Sequence, residues 1–303
     1  MLMRTDVPMN ALSVDVEDYF QVSAFERHIR RDDWARLPAR VERNTERVLA
    51  LLERHATHAT FFTLGWVAER YPELIRRIVA GGHELASHGM FHVRVTRQSR
   101  DAFRADAGRS RKLLEDLSGT TVRGYRAASF SIGRDNLWAH EILAELGYEY
   151  SSSIFPVRHD LYGMREAPRF AFRPRANGIL EVPLTTTVVG GHHLPCGGGG
   201  YFRLFPYAYF RWALGRVNRG DGQPAVFYFH PWELDPDQPR QQGIDLKTRF
   251  RHYNNLKRME ARLDRLLDDF RWERLDTVFL AGTPGASYPV VDLVERGRGG
   301  RAV

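Results

Sequence analysis

Cysteine is almost missing from these 303 residues, with Cys196 standing alone. A single thiol excludes an internal disulfide framework and a cysteine-built metal cage, so any metal site must draw on histidine and carboxylate. Long apolar runs are missing as well. No stretch approaches the ~18 residues of a membrane span. The opening segment, MLMRTDVPMNALSVDVEDYF, carries acids where a signal peptide needs an apolar run. These absences predict a soluble protein of a reducing cytoplasm, and they leave peripheral association with the inner membrane face open.

Lysine is scarce too. It stands only at Lys112, Lys247 and Lys257, and arginine supplies the rest of the 44 basic side chains, against 37 acids and a net charge of +7. A phosphate-tracking surface shows clustered Lys and Arg with interleaved aromatics. Here the arginines are spread through helical stretches such as 43–54 and mixed with Glu46 and Glu53. That pattern predicts solvated helix faces and no nucleic-acid partner.

What is present is ordinary globular composition, 43% hydrophobic and 27% charged, which excludes a disordered or collagen-like chain. Strand-like and helix-like patterns alternate, which argues for α/β with a largely parallel sheet. Strands are expected at 11–16, 59–64, 83–87, 125–130, 150–155, 179–184 and 225–229. Helices are expected from Asn44 or Thr45 as caps, then at 72–80, 100–117, 138–146, 207–217 and 254–270. No repeat or Pro/Ser-rich linker divides the chain. We read one barrel-like domain over about residues 8–290, with a core at 10–235, a C-terminal extension at 165–290, and a tail at 295–303 too polar to order itself.

In such barrels functional groups sit at the C-terminal ends of strands. Asp15, Glu17 and Asp18 follow the first strand, His88 and His92 a later one, Arg126 another, and His230 the run AVFYF. Singly, each has a bland alternative as a cap or a satisfied core residue. Jointly they suggest chemistry. His88 and His92 can share a metal if the backbone turns helically, and a carboxylate from the first strand would complete two histidines and one acid. That set leaves positions open for water and substrate, with Asp15 and His230 as candidate proton acceptor and donor.

The motifs LSVDVEDYF, ATFFTLGWVAERYPELIRRIVAGGHELASHGMFH, RGYRAASFSI and AVFYFHPWELDP, in this order, resemble the NodB-type polysaccharide deacetylases, carbohydrate esterase family 4. LPCGGGGYFRLFPY and RFRHYNNL are similar to stretches of the branch found with exosortase (PEP-CTERM) exopolysaccharide loci. The resemblance implies a distorted (β/α)7-type barrel with an integrated C-terminal extension, and a divalent metal, usually zinc. The implied reaction is hydrolysis of N-acetyl groups on amino sugars of a polysaccharide or its lipid-linked precursor.

Carried over, Asp15 is the base, His230 the acid, Arg126 the orienter of the base, and His88 and His92 metal ligands. The family pattern has two adjacent aspartates, whereas this chain reads Asp15-Val16-Glu17-Asp18. Strand alternation puts Glu17 beside Asp15, while a bend after Val16 brings Asp18 round, and the shorter side chain favours Asp18 as third ligand over Glu17. A backbone N–H near Ala127 or Ala128 is expected to hold an oxyanion.

Tyr201, Phe202 and Trp232 are candidate sugar-stacking residues, the first two beside a mobile Gly197–Gly200 loop. Ala128 replaces a family proline and is expected to loosen Arg126, and Ser151 replaces an acid that orients substrate or tunes His230. Ala56 and Thr57 replace a glycine-bearing turn, with stability rather than chemistry at stake. Two rival readings keep the barrel: a non-catalytic glycan binder, and an allantoinase-like hydrolase of small amides.

Overall fold

The computed structural model describes residues 7–157, 163–175, 178–281 and 288–293. In chain order the elements are β1 (Asn10–Val16), α1 (Val41–Arg54), β2 (Thr60–Thr63), α2 (Gly65–Arg70), α3 (Pro72–Ala80), β3 (Glu84–Ser87), α4 (Arg100–Ser118), β4 (Gly124–Tyr125), α5 (Trp138–Glu145) and β5 (Tyr150–Ser151). They continue with β6 (Leu180–Glu181), β7 (Thr186–Val189), β8 (His192–Pro195), α6 (Gly199–Leu204), α7 (Tyr207–Arg216), β9 (Val226–Phe229), α8 (Leu246–Tyr253), α9 (Met259–Asp269), β10 (Trp272–Glu273) and α10 (Leu275–Phe279).

Alternation of this kind builds a parallel sheet, and β1 is its hub. It pairs in parallel with β2, β9 and β10. From β2 the sheet runs on, still parallel, through β3, β4, β5 and β6. β7 and β8 form a separate antiparallel hairpin. The expected α/β fold is present, a parallel half-barrel wrapped by helices.

Its wall between β6 and β9 is not a ladder. Thr185 Oγ1 accepts the Val226 N–H at 2.5 Å, and the Gly197 carbonyl accepts the Tyr228 N–H at 2.9 Å. The expected mobile glycine loop is therefore sheet-edge structure. A Cβ at Gly197 would press on the Val226 carbonyl at 2.6 Å, so glycine is required by close packing rather than by motion. Against expectation a helix follows at once, α6 beginning at Gly199.

Every residue of β1 is buried, so its two faces pack on different things. Ala11 joins an interior cluster with Phe62, Ala86, Tyr150, Leu180 and Tyr228. Leu12, Val14 and Val16 face outward beneath Leu52 of α1, Phe210 of α7 and Leu263 of α9. Ser13 and Asp15 share Ala11's side by strand alternation, which aims both into the barrel.

Helix ends follow local chemistry. α3 starts at Pro72, as expected, where the missing N–H costs nothing. α4 is capped by Ser99, whose Oγ accepts the Ala102 N–H, and stops at left-handed Gly119. α1 departs from expectation: Asn44 and Thr45 lie inside it, and its first N–H groups are met from a distance by Asp18. Among the described residues no helix is long and apolar enough to cross a membrane. The expected tail at 295–303 lies outside the described residues.

Candidate active site

The barrel rim brings together Asp15, Glu17, His88, His92, Arg126 and His230. Asp15 ends β1 and points inward, where its Oδ1 takes a 2.6 Å hydrogen bond from Arg126 Nη1. Both side chains are buried, so the pair needs its remaining donors satisfied. They are: Arg126 Nη1 also donates to Ser13 Oγ, Nε to the Ser152 carbonyl and Nη2 to Ser152 Oγ. Its guanidinium lies 4.0 Å over the Phe62 ring. Ala128 does not loosen this arginine, because its backbone N–H is held by the Ser87 carbonyl and its head by four bonds.

His88 and His92 meet in a loop, not on a helix. Left-handed Gly89 (φ 76°) and His92 (φ 52°) turn the chain back on itself, and the imidazole centroids lie 5.2 Å apart. A non-glycine residue at 89 would also press a Cβ to 2.7 Å from Asp106 Oδ2, the oxygen that accepts the Met90 N–H. His88 Nδ1 bonds the Arg126 carbonyl at 2.8 Å, which turns its Nε2 to the rim.

Glu17 completes the set. One ligand atom each from Glu17, His88 and His92 fit within 4.8 Å of one another, and among the described residues no other group of three does so. Asp18, the expected third ligand, is elsewhere. Its Oδ2 accepts the N–H groups of Arg40 (2.6 Å) and Val41 (2.9 Å), and its Oδ1 accepts that of Tyr19. The Glu17 N–H turns back onto the Asp15 carbonyl at 3.0 Å, and that bend sends Asp18 outward to α1.

This donor set fits a divalent cation. Glu17 Oε2 is buried and has no hydrogen-bond partner, although His92 Nε2 lies 3.1 Å away. Burial lowers the pKa of His88, and burial together with the His88 charge lowers that of His92 further, so both imidazoles are neutral, the form that ligates. Burial also raises the Glu17 carboxyl to about 7, with His230 acting against it. A cation is the partner that relieves such a carboxylate.

His230 follows β9, its Nε2 lying 3.4 Å from Glu17 Oε1 and 4.0 Å from Asp15 Oδ2. Its Nδ1 bonds Glu233 Oε1 at 2.8 Å. Burial opposes the charged imidazolium, but the Glu233 bond and the charges of Glu17, Glu233 and Asp15 outweigh it and hold the pKa near 9.

Residues 32–151 match the family described as "Polysaccharide deacetylase", and residues 152–280 match "Domain of unknown function (DUF3473)". The first of these matches covers about two fifths of the chain and marks that stretch as similar to polysaccharide deacetylases. Over 98 residues the chain is 31% identical to a Bacillus cereus protein named peptidoglycan-N-acetylglucosamine deacetylase, covering 32% of this chain and 36% of that one. Over 146 residues it is 27% identical to a chitooligosaccharide deacetylase of Rhizobium leguminosarum bv. trifolii, covering 48% and 61%. The chain thus spans less than two thirds of these curated relatives. A solved structure from Mycobacterium smegmatis, named as a polysaccharide deacetylase, superposes with a TM-score of 0.62 at 18% identity, covering 96% of this chain and 95% of that one. That likeness shows the fold.

Of the expected substrate residues, the rim leaves little open. Phe202 is 0% exposed, packed edge-on against Tyr207, Phe210 and Phe227, so it is core and cannot stack a sugar. Trp232 is 5% exposed and stacks on both His230 and His252, so it shapes the site without offering a free face. Tyr201 is half-buried and stacks on Phe205. The Ala127 N–H is already donated to Ser153 Oγ at 2.9 Å, which removes it as an oxyanion donor. A cavity of about 420 Å³ opens beside His92, lined by Phe20, Gln21, Trp34 and Arg31 among others.

Two partners escaped the sequence reading. Glu233 and Arg203 face His230 from the second segment. Glu233 was detectable, since His-Pro-Trp-Glu has the spacing of a capping box, and the structure shows that box. Arg203 left no such signal among 41 arginines.

Proposed function

We propose that this chain is a divalent-metal-dependent hydrolase that removes N-acetyl groups from amino sugars of a glycan. The observation that carries it is the orphaned, buried Glu17 Oε2 facing two neutral histidines, within reach of a proton acceptor and a proton donor. Glu17, His88 and His92 would hold the cation, which when bound acidifies water and polarises an amide carbonyl. Asp15, oriented by Arg126, accepts the proton that water loses as its oxygen bonds the acetyl carbon. His230 Nε2 gives a proton to the sugar nitrogen as the C–N bond breaks, and acetate and a free amine leave.

Nothing in the geometry favours the glycan-binder reading, for which the departures at Ala128 and Ser151 would be the motive. Arg126 is firmly held, Ser151 bonds Ser153 Oγ, and His230 has its carboxylate from Glu233. The finer reading is a zinc-dependent enzyme of exopolysaccharide synthesis in the cytoplasm, working on polymer or lipid-linked precursor at the inner membrane face. It is supported by the motif resemblance and an all-N/O donor set.

The experiment is acetate release from N-acetylglucosamine oligomers by zinc-reconstituted protein. Release that is lost on chelation, restored by metal, and abolished in Asp15→Asn with metal content unchanged is the expected result. Metal binding without turnover on any N-acetylated glycan would overturn the proposal.

A further inference from the structure

The second segment, 152–280, matches a family without an assigned function, yet it supplies His230 to the rim. We infer that its task is to hold the His230 imidazole through a buried Arg203–Glu233 pair, with Glu233 as the positioning residue and Arg203 as its anchor. The inference rests on the deacetylase reading for the role of His230, while the geometry stands without it.

The arrangement is a chain of charge-assisted bonds. Glu233 Oε1 accepts from His230 Nδ1 at 2.8 Å and from the His230 backbone N–H at 3.1 Å. Its Oε2 accepts from Arg203 Nε at 2.6 Å. Arg203 is 2% exposed, and its remaining donors end on backbone carbonyls: Nη1 on His252 (2.9 Å) and Asn254 (2.7 Å), Nη2 on Arg251 (3.3 Å). Asn255 Nδ2 returns a bond to the Arg203 carbonyl. Each of these bonds is direct between protein atoms, so packing fixes the geometry of the relay.

Three stretches that the barrel alone does not require converge here. HPWE carries His230 and Glu233. RHYNN supplies the carbonyls. GGGGYFR supplies Arg203 and the room: a Cβ on Gly199 would collide with the Glu233 carboxylate, so glycine at that position is what admits it. Trp232 closes the side by stacking on His230 and His252.

The chemical consequence is a fixed ring orientation and, once Nε2 has given up its proton, a fixed tautomer. An ionised carboxylate only accepts, so Nδ1 must carry the hydrogen and Nε2 is the nitrogen that faces Asp15 and Glu17. Nε2 is then the atom that delivers the proton to a leaving amine. Ser151, where the family resemblance leads one to expect an acid, is bonded to Ser153 instead, and Glu233 fills that office from three residues beyond the histidine.

The test uses the metal-reconstituted full chain with Glu233→Gln, Glu233→Leu and Arg203→Met. Glu233→Leu is expected to lower kcat on the order of 10- to 100-fold, with KM and metal content near native. Glu233→Gln, which still offers an oxygen to Nδ1–H, should recover part of that loss. Nitrogen-15 NMR of the His230 ring, recorded at alkaline pH where the ring is neutral, should show the Nδ1–H tautomer in the native protein and a mixture in Glu233→Leu. Native kcat and a native ring spectrum in both Glu233 variants would overturn the inference, and if Glu233→Leu does not fold, Glu233→Gln with the ring spectrum decides it. A native protein that hydrolyses no N-acetylated glycan refutes the deacetylase reading alone, because the ring spectrum still reads the Glu233 contact.

Discussion

Asp15 and His230, the two proposed proton-transfer groups, face each other across this rim, and each is tied to a buried arginine in a different way. Asp15 meets Arg126 directly at 2.6 Å. His230 meets Arg203 only through Glu233, because two cations cannot share one contact. The same anchor thus does opposite work. Arg126 orients a carboxylate proposed to accept a proton, whereas Glu233 favours the charged form of an imidazole proposed to give one. Burial alone would raise the Glu233 carboxyl, but Arg203, and then His230, outweigh it and hold the pKa below the usual carboxylate range.

The sharpest break of this comparison is to remove each arginine. Arg126→Met leaves Asp15 buried without its partner, and stability should fall by about 3–5 kcal/mol, read by urea unfolding. Asp15→Asn keeps a neutral partner for the guanidinium but removes the proton acceptor, so acetate release should fall by about 10²- to 10⁴-fold. Equal losses of stability in the two variants would show that the pair is structural only.

Glu84 sharpens the comparison as a buried carboxylate whose bonding partners are Thr60 Oγ1, Tyr150 OH and the Asp276 N–H rather than an arginine. Burial, and then the Asp276 charge, push its pKa up to about 7 from 4.5. Between those values the folded chain keeps a proton that the unfolded chain has lost. Stability is therefore full below about pH 4.5 and falls as pH rises through 7. The change is on the order of 3 kcal/mol at 1.36 kcal/mol per unit. Glu84→Gln should flatten this slope in denaturant titrations at pH 5 and 8, and an unchanged slope would assign it to other groups.

The two halves of the rim also differ in how far they could be read beforehand. Asp15, His88, His92, Arg126 and His230 all sit at strand ends, where parallel barrels place chemistry, so spacing and order brought them forward as candidates. Glu17 against Asp18 was decided by a backbone bend and by a helix start 22 residues away, neither of which alternation encodes. The aromatic candidates misled for a related reason: Phe202 and Trp232 have the chemistry of sugar platforms, and only tertiary packing shows their faces covered. Arg203 was invisible because its meaning comes from contacts 30 to 51 residues away.

Asp18 and Glu17 separate the rim from its scaffold. Glu17→Gln should abolish tight metal uptake, measured by metal analysis after dialysis, while leaving α1 intact. Asp18→Ala should do the reverse. Its carboxylate serves two N–H groups at the start of α1, and losing such a cap costs about 0.5–2 kcal/mol with metal content unchanged. Metal loss in Asp18→Ala, with Glu17→Gln unaffected, would restore Asp18 as the ligand.

The smallest effect lies at the other end of that helix and has the opposite sign. Ala56 holds φ 45°, a left-handed conformation that costs an L-residue about 1–2 kcal/mol and that glycine adopts freely. The glycine also gains entropy in the unfolded chain, which offsets part of the relief. Ala56→Gly should therefore stabilise the fold by roughly 0.5–1 kcal/mol in urea unfolding. Because the turn joins α1 to β2 and touches neither arginine pair, kcat should stay native. A stability gain accompanied by altered kcat would mean that strain in this turn reaches the rim through β2, and the two arginine-anchored groups could then no longer be treated as independent of the barrel that carries them.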